Sequence, residues 1–274
     1  MINKTINFRD KELLVTCINN INIEDALNFK PTIDWLNKIE NNKELFMDEL
    51  EFREIYYCNK EVIFVSWLSK IRNHNLTKEQ WIDKYGHIKG YYLPDYVFCK
   101  NNSICIFPIL SCEENNELYT ILIEKTHIPI ADTKKNVLAC GYISNINKNI
   151  ISSDFERIKE ELGFENLNNY NLVDLGSLAW SGESKLSTSS LITNEHITVY
   201  AFHKKIKLNN LRKKNNSNNK KVKIVYLDDL WGLSRDSKTL SAYCLYQNLV
   251  KYKSIDKKLN KLRPQYSSCS CSIN

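Results

Sequence analysis

The chain has 274 residues, of which 43% are hydrophobic and 26% charged, as is typical of a globular protein large enough to bury a sizeable core. Its net charge of +6 is accompanied by no nucleic-acid recognition motif, so we expect no nucleic-acid partner. Its nine cysteines include no Cys-x-x-Cys pair, so we expect no zinc site and favour reduced thiols in a cytoplasmic protein. No apolar run approaches the ~20 residues of a membrane span, so we expect no transmembrane segment.

Residues 1–90 are predicted to form an N-terminal extension built from a helix and a β-hairpin. The two hairpin strands are rich in Tyr, Ile, Val and Phe and are joined by Asn59-Lys60, a short polar connection. The predicted elements are a strand at 12–18, helices at 22–29 and 32–39, hairpin strands at 49–58 and 61–68, and a short helix at 78–85.

Residues 91–252 are predicted to form a second domain of mixed α/β class. A polar loop is expected to lead from its third strand to Val137. Residues 253–274 are basic and then rich in Ser and Cys, which indicates a tail whose last four residues, CSIN, loosely resemble a prenylation box. The predicted elements of the second domain are strands at 96–99, 103–111, 118–124, 196–203 and 222–227 and an amphipathic helix at 237–252.

The segment 138–164 carries the strongest local pattern in the chain, because it ends in a short helix with marked boundaries. Ser153 followed by Glu156 matches a capping box, and Gly163 is placed to end the helix. Apolar residues repeat at helical spacing and should face a core. These residues are Phe155, Ile158 and Leu162.

This segment resembles a Nudix box, the loop-helix-loop with which Nudix hydrolases hold divalent metal on a diphosphate. The pattern opens with Gly and closes with Arg-Glu, an apolar residue, any residue, Glu-Glu, any residue, Gly and an apolar residue. Here Gly141 opens it and residues 156–164, ERIKEELGF, close it with the Arg-Glu pair in reverse order. The resemblance implies an α/β/α sandwich with a mixed sheet, preceded by the N-terminal extension.

The strands around the box are similar to those of ADP-ribose and ADP-sugar pyrophosphatases. The matching stretches are 107–110, 119–124 and 128–129, and the plant-type enzymes also have a Trp-containing helix before a hairpin, as at 32–39. The resemblance implies a homodimer that uses this hairpin and cleaves ADP-ribose or ADP-glucose to AMP and a sugar phosphate with Mg²⁺ or Mn²⁺. The alternative is a catalytically inactive Nudix-fold protein that binds a nucleotide or a partner.

The resemblance also implies a metal site on the box helix. The two glutamates that share the ion in the family correspond here to Arg157 and Glu161, which lie on one helix face at i and i+4. Arginine has no acceptor atom and cannot bind Mg²⁺. The expected ligands are therefore Glu161 and Glu160, with the backbone carbonyl of Ala139 or Cys140.

The sequence is also compatible with two other interpretations of the helix. In the first, the helix is rotated by one residue, about 100°, so that Glu156 and Glu160 form the working pair. In the second, it is a surface helix with a capping box and an Arg157–Glu161 salt bridge.

Further site residues follow from the resemblance outside the helix. Glu195 lies in the loop where ADP-ribose-type enzymes place a base or metal ligand, and Glu195 and Glu160 are the candidate catalytic residues. An exposed loop carboxylate is the other interpretation of Glu195. The candidate substrate-binding residues are His127, Gly141, Glu156 and Trp180, the first of which replaces an arginine of the subfamily.

Overall fold

The computed structural model describes residues 2–252 except positions 10, 19–20, 59, 74, 94–95, 128–131, 143–152, 165–171, 181–184, 188–192, 194, 208 and 211–221. The chain divides into two compact units. The first consists of residues 1–102 and 187–195, and the second of residues 103–186 and 196–274. Within the described part, no helix is long and apolar enough to cross a membrane. The predicted tail lies outside the described residues.

The first unit is a five-stranded sheet in the order β1-β2-β3-β4-β5 with three helices. Its strands are β1 (Ile2–Phe8), β2 (Lys11–Cys17), β3 (Phe46–Cys58), β4 (Glu61–Arg72) and β5 (Tyr96–Lys100). Its helices are α1 (Ile23–Asn28), α2 (Lys30–Asn41) and α3 (Lys78–Tyr85). The predicted hairpin is confirmed as β3 and β4. The predicted strand β2 and the three predicted helices are confirmed as well. Strand β1 was not predicted, since Asn, a poor strand former, fills two of its seven positions.

The core of the first unit is built around Trp67, which is fully buried in β4. The ring of Trp35 meets it edge-on with ring centroids 4.9 Å apart, and Phe52 meets it at 5.9 Å. Helix α2 therefore packs on the sheet through Trp35.

The second unit contains eight described strands and four described helices. The strands are β6 (Ser103–Cys112), β7 (Leu118–His127), β8 (Asp132–Val137), β9 (Ala139–Tyr142), β10 (Val173–Asp174), β11 (Lys185–Ser187), β12 (His196–Ile206) and β13 (Val222–Tyr226). The helices are α4 (Ser153–Leu162), α5 (Leu175–Ala179), α6 (Leu230–Leu233) and α7 (Ser237–Tyr252). The main path of the sheet runs β10-β12-β6-β7-β13, with β8 beside β7 and β9 beside β6. Strands β12 and β6 are parallel, so the sheet is mixed. The antiparallel pairs are β10–β12, β13–β7, β6–β7, β6–β9 and β7–β8.

Strand β6 is the centre of this unit, because all ten of its residues are buried. A strand that is apolar on both faces must be covered on both. Cys105, Phe107 and Ile109 pack with residues of α5 and α7. Ile104, Ile106 and Leu110 pack with residues of α4. The structure thereby confirms the mixed α/β class and the α/β/α sandwich.

The polar loop predicted before Val137 is wrong in part, because residues 132–137 form β8. This strand is polar but pairs along β7, and backbone pairing outweighs its low strand propensity. The ammonium of Lys135 lies 3.2 Å from the carboxylate of Asp236, and both side chains are largely buried. Strand β8 is therefore also tied to the start of α7.

Candidate functional site

Helix α4 is held in one rotational position by its apolar face. Phe155, Ile158 and Leu162 are each at most 1% exposed and pack against the sheet. Gly163 then takes a left-handed φ of 65°, and its N–H donates to the carbonyl of Glu160 at 3.0 Å. A rotation by one residue, about 100°, would turn this apolar face away from the core. The interpretation that pairs residues 156 and 160 as ligands in a rotated helix is therefore wrong.

Arg157 and Glu161 lie together on the outward face of α4. The Nη1 of Arg157 donates to Oε1 of Glu161 at 2.7 Å, as the surface-helix interpretation predicts. The Nη2 of the same guanidinium donates to the main-chain carbonyl of Cys140 in β9 at 3.4 Å. The guanidinium thus lies between a carboxylate and a strand carbonyl, which are the two kinds of ligand that the resemblance assigns to a metal ion.

Lys125 is a second cation at this place, and it arrives from β7. Its Nζ lies 3.1 Å from Oε2 of Glu161. Each carboxylate oxygen of Glu161 therefore contacts a cation. The side chains of Lys125, Arg157 and Glu161 together carry a net charge of +1. An exposed helix pair contributes only about 0.3–0.5 kcal/mol to stability, so the placement of the charges is the more informative feature.

The residues present do not fit a Mg²⁺ or Mn²⁺ site. Such ions need several hard oxygen ligands, usually carboxylates. In the part of the chain that the structure describes, no group of three or more His, Cys, Asp or Glu side chains is arranged to hold a metal ion. Glu161 is already paired with two cations, and the sequence between Gly141 and Asp154 contains no Asp or Glu.

The other predicted residues of the box occupy separate positions. The carboxylate of Glu156 is exposed and pairs with Lys159 at 2.6 Å. Glu160 is also exposed. Ala139 and Gly141 are buried in β9, where they pair with β6. The structure therefore brings Glu161 and the backbone of β9 together through Arg157, and leaves Glu156 outside this contact.

Glu195 is buried rather than exposed, with 3% of its surface accessible. Its Oε2 lies 2.8 Å from the ammonium of Lys100, and its backbone N–H donates to Oγ1 of Thr193 at 3.1 Å. All three residues belong to the first unit. The exposed-loop interpretation of Glu195 is therefore wrong, and its proposed catalytic role stays a prediction.

The remaining two candidates are His127 and Trp180. His127 ends β7 opposite Asp132, and its side chain lies outside the described part of the structure. Trp180 follows α5 and is 42% exposed. Their roles in substrate binding stay predictions.

Lys125 is the site residue that the sequence did not reveal. It is 36 positions from Glu161, and nothing in the pattern of β7 marks it. Only the pairing of the strands brings it to α4.

No family model matches this sequence, and no curated protein matches it either. Among solved structures, the chain is similar to an ADP compounds hydrolase at 12% identity and a TM-score of 0.45, covering 77% of this chain and 96% of that one. It is also similar to a mutT/nudix family protein from Listeria innocua at 12% identity and a TM-score of 0.36, covering 56% and 96%. A Nudix hydrolase from M. smegmatis, RenU, gives 8% identity and a TM-score of 0.33, covering 57% and 88%.

Proposed function

We propose that the second unit is a catalytically inactive Nudix-type domain that binds the diphosphate of an ADP-sugar or a related nucleoside diphosphate derivative. The observation that carries this proposal is the guanidinium of Arg157, which lies against Glu161 and the carbonyl of Cys140. A guanidinium carries a fixed positive charge and donates to two phosphate oxygens at once. It neutralises a diphosphate, but it cannot act as a Lewis acid toward water.

The exposure of the two cations supports contact with a ligand. The side chain of Arg157 is 46% exposed and that of Lys125 is 31% exposed, so both reach solvent. An anionic diphosphate would gain attraction to both positive charges, and we propose His127, Gly141, Glu156 and Trp180 as residues around the rest of the ligand.

The proposal predicts that ADP-ribose binds to the full chain in the presence of EDTA. Replacing Arg157 with alanine should weaken this binding by more than tenfold, since one charge-assisted contact contributes about 1.5–3 kcal/mol. Isothermal titration calorimetry measures the affinities. The matched control is Lys159→Ala, which removes a cation of the same helix that pairs with Glu156. Binding that requires Mg²⁺, or that is equally weakened in both variants, would contradict the proposal.

The second candidate function is hydrolysis of ADP-ribose or ADP-glucose to AMP and a sugar phosphate. It is supported by Glu161, a carboxylate on the outward face of α4 at the position of the last glutamate of the Nudix pattern. Glu160 and Glu195 are its proposed catalytic residues. Domain boundaries at 90 and 252, a homodimer formed through the β3–β4 hairpin and a cytoplasmic location likewise stay proposals.

If the second candidate is right, AMP release should require Mg²⁺ or Mn²⁺. Replacing Glu161 with glutamine should then lower turnover by more than tenfold, which corresponds to over ~1.4 kcal/mol of barrier. Chromatographic measurement of AMP distinguishes the two functions in one sample. Turnover that survives complete chelation would exclude the metal-dependent reaction, and binding without AMP release would favour the inactive domain.

A further inference from the structure

Two cysteines of the second unit face each other across neighbouring strands. Cys105 of β6 and Cys140 of β9 are direct register partners in an antiparallel pair. Such partners have Cα atoms about 4.5–5.5 Å apart. This separation lies inside the range of roughly 4.4–6.8 Å that a disulfide spans. Both cysteines are free thiols in the structure.

The two thiols differ in their surroundings. Cys105 is fully buried, whereas Cys140 is partly exposed. Cys140 is therefore the member that a peroxide in solution reaches first, because oxidation of a thiol depends on its exposure.

The backbone around Cys140 is fixed by contacts on both sides. The N–H of Leu138 donates to Oγ1 of Thr239 in the first turn of α7 at 3.0 Å. The carbonyl of Cys140 accepts the hydrogen bond from Arg157. These contacts hold β9 in its register beside β6, so the thiols are brought together by the fold.

We propose that Cys105 and Cys140 form a redox-active dithiol that a hydroperoxide oxidises to a cross-strand disulfide. The thiolate of Cys140 attacks a peroxide oxygen, the O–O bond breaks, and a sulfenic acid and one water form when the peroxide is H₂O₂. The sulfur of Cys105 then attacks the sulfenic sulfur, the S–S bond forms, the S–O bond breaks and a second water leaves. Two electrons pass from the sulfurs to the peroxide, and both thiol protons end in water. This chemistry is independent of the proposed nucleotide binding.

The test is oxidation of the reduced full-length chain with a stoichiometric amount of H₂O₂. Remaining thiols are blocked with N-ethylmaleimide, and the digest is sequenced by tandem mass spectrometry. We expect a peptide that links Cys105 to Cys140 in most of the protein. Fragment ions must assign the bond, because Cys112 lies on the same tryptic peptide as Cys105. Oxidation confined to the exposed Cys58 and Cys244, with both strand thiols alkylated, would overturn the proposal.

Three variants separate the steps. Cys105→Ser should leave a sulfenic acid on Cys140 that dimedone captures, and the cross-link should disappear. Cys140→Ser, at the partly exposed position, should leave Cys105 unmodified. Cys112→Ser is the matched control, since this buried thiol is also in β6 but pairs with Ile206, and the cross-link should remain. If Cys105→Ser does not fold, the Cys140→Ser result decides, and oxidation of Cys105 in that variant would overturn the assigned order.

Discussion

Replacing Phe155 with alanine is expected to lower the free energy of unfolding of the second unit by about 3–5 kcal/mol, the cost of truncating a buried aromatic side chain. Phe155 is 1% exposed and packs with Ile104 and Ile106 of β6. Its ring holds the N-terminal half of α4 against the sheet. The variant should therefore also raise hydrogen exchange at the amides of α4, which reports on this unit alone.

The matched control is Glu156→Ala at the next position. Its side chain is exposed and pairs with Lys159, so we expect a change within about 0.5 kcal/mol. Urea unfolding followed by circular dichroism gives the global value, and hydrogen exchange separates the two units. A loss below about 1 kcal/mol for Phe155→Ala would show that α4 is not anchored by this ring.

The position of α4 could be predicted because it depends on local periodicity. Phe155, Ile158 and Leu162 recur at the spacing of one helix face, and that face is the buried one. The same spacing places Arg157 and Glu161 as neighbours on the outer face, so their salt bridge could also be predicted.

Contacts between strands could not be predicted in the same way. The approach of Lys125 to Glu161 and the pairing of Cys105 with Cys140 depend on which strands are neighbours and in which register. Register is set by the assembled sheet and not by the local sequence. Strand β8 illustrates this limit, because its polar residues become a strand only through their pairing with β7.

Exchanging residues 156 and 157, as Glu156→Arg with Arg157→Glu, is expected to tighten Mg²⁺ binding by about 100-fold. The exchange replaces a positive by a negative charge near the ion, which contributes roughly 2–3 kcal/mol for charges ~6 Å apart at the dielectric constant of water. It places the new carboxylate at i, i+4 from Glu161 and leaves the buried face of α4 unchanged. Net charge and composition stay constant.

Isothermal titration with Mg²⁺ measures this change, and AMP release from ADP-ribose shows whether diphosphate cleavage appears with it. The matched control exchanges Glu156 and Lys159, as Glu156→Lys with Lys159→Glu, which reverses an ion pair of the same helix and leaves Arg157 and Glu161 in place. Tighter Mg²⁺ binding in the first variant alone would show that the guanidinium of Arg157 stands where a metal ion can bind. Equal affinities in the natural chain and both variants would show that Arg157 does not determine metal binding, and the proposed replacement of metal by guanidinium would then be wrong.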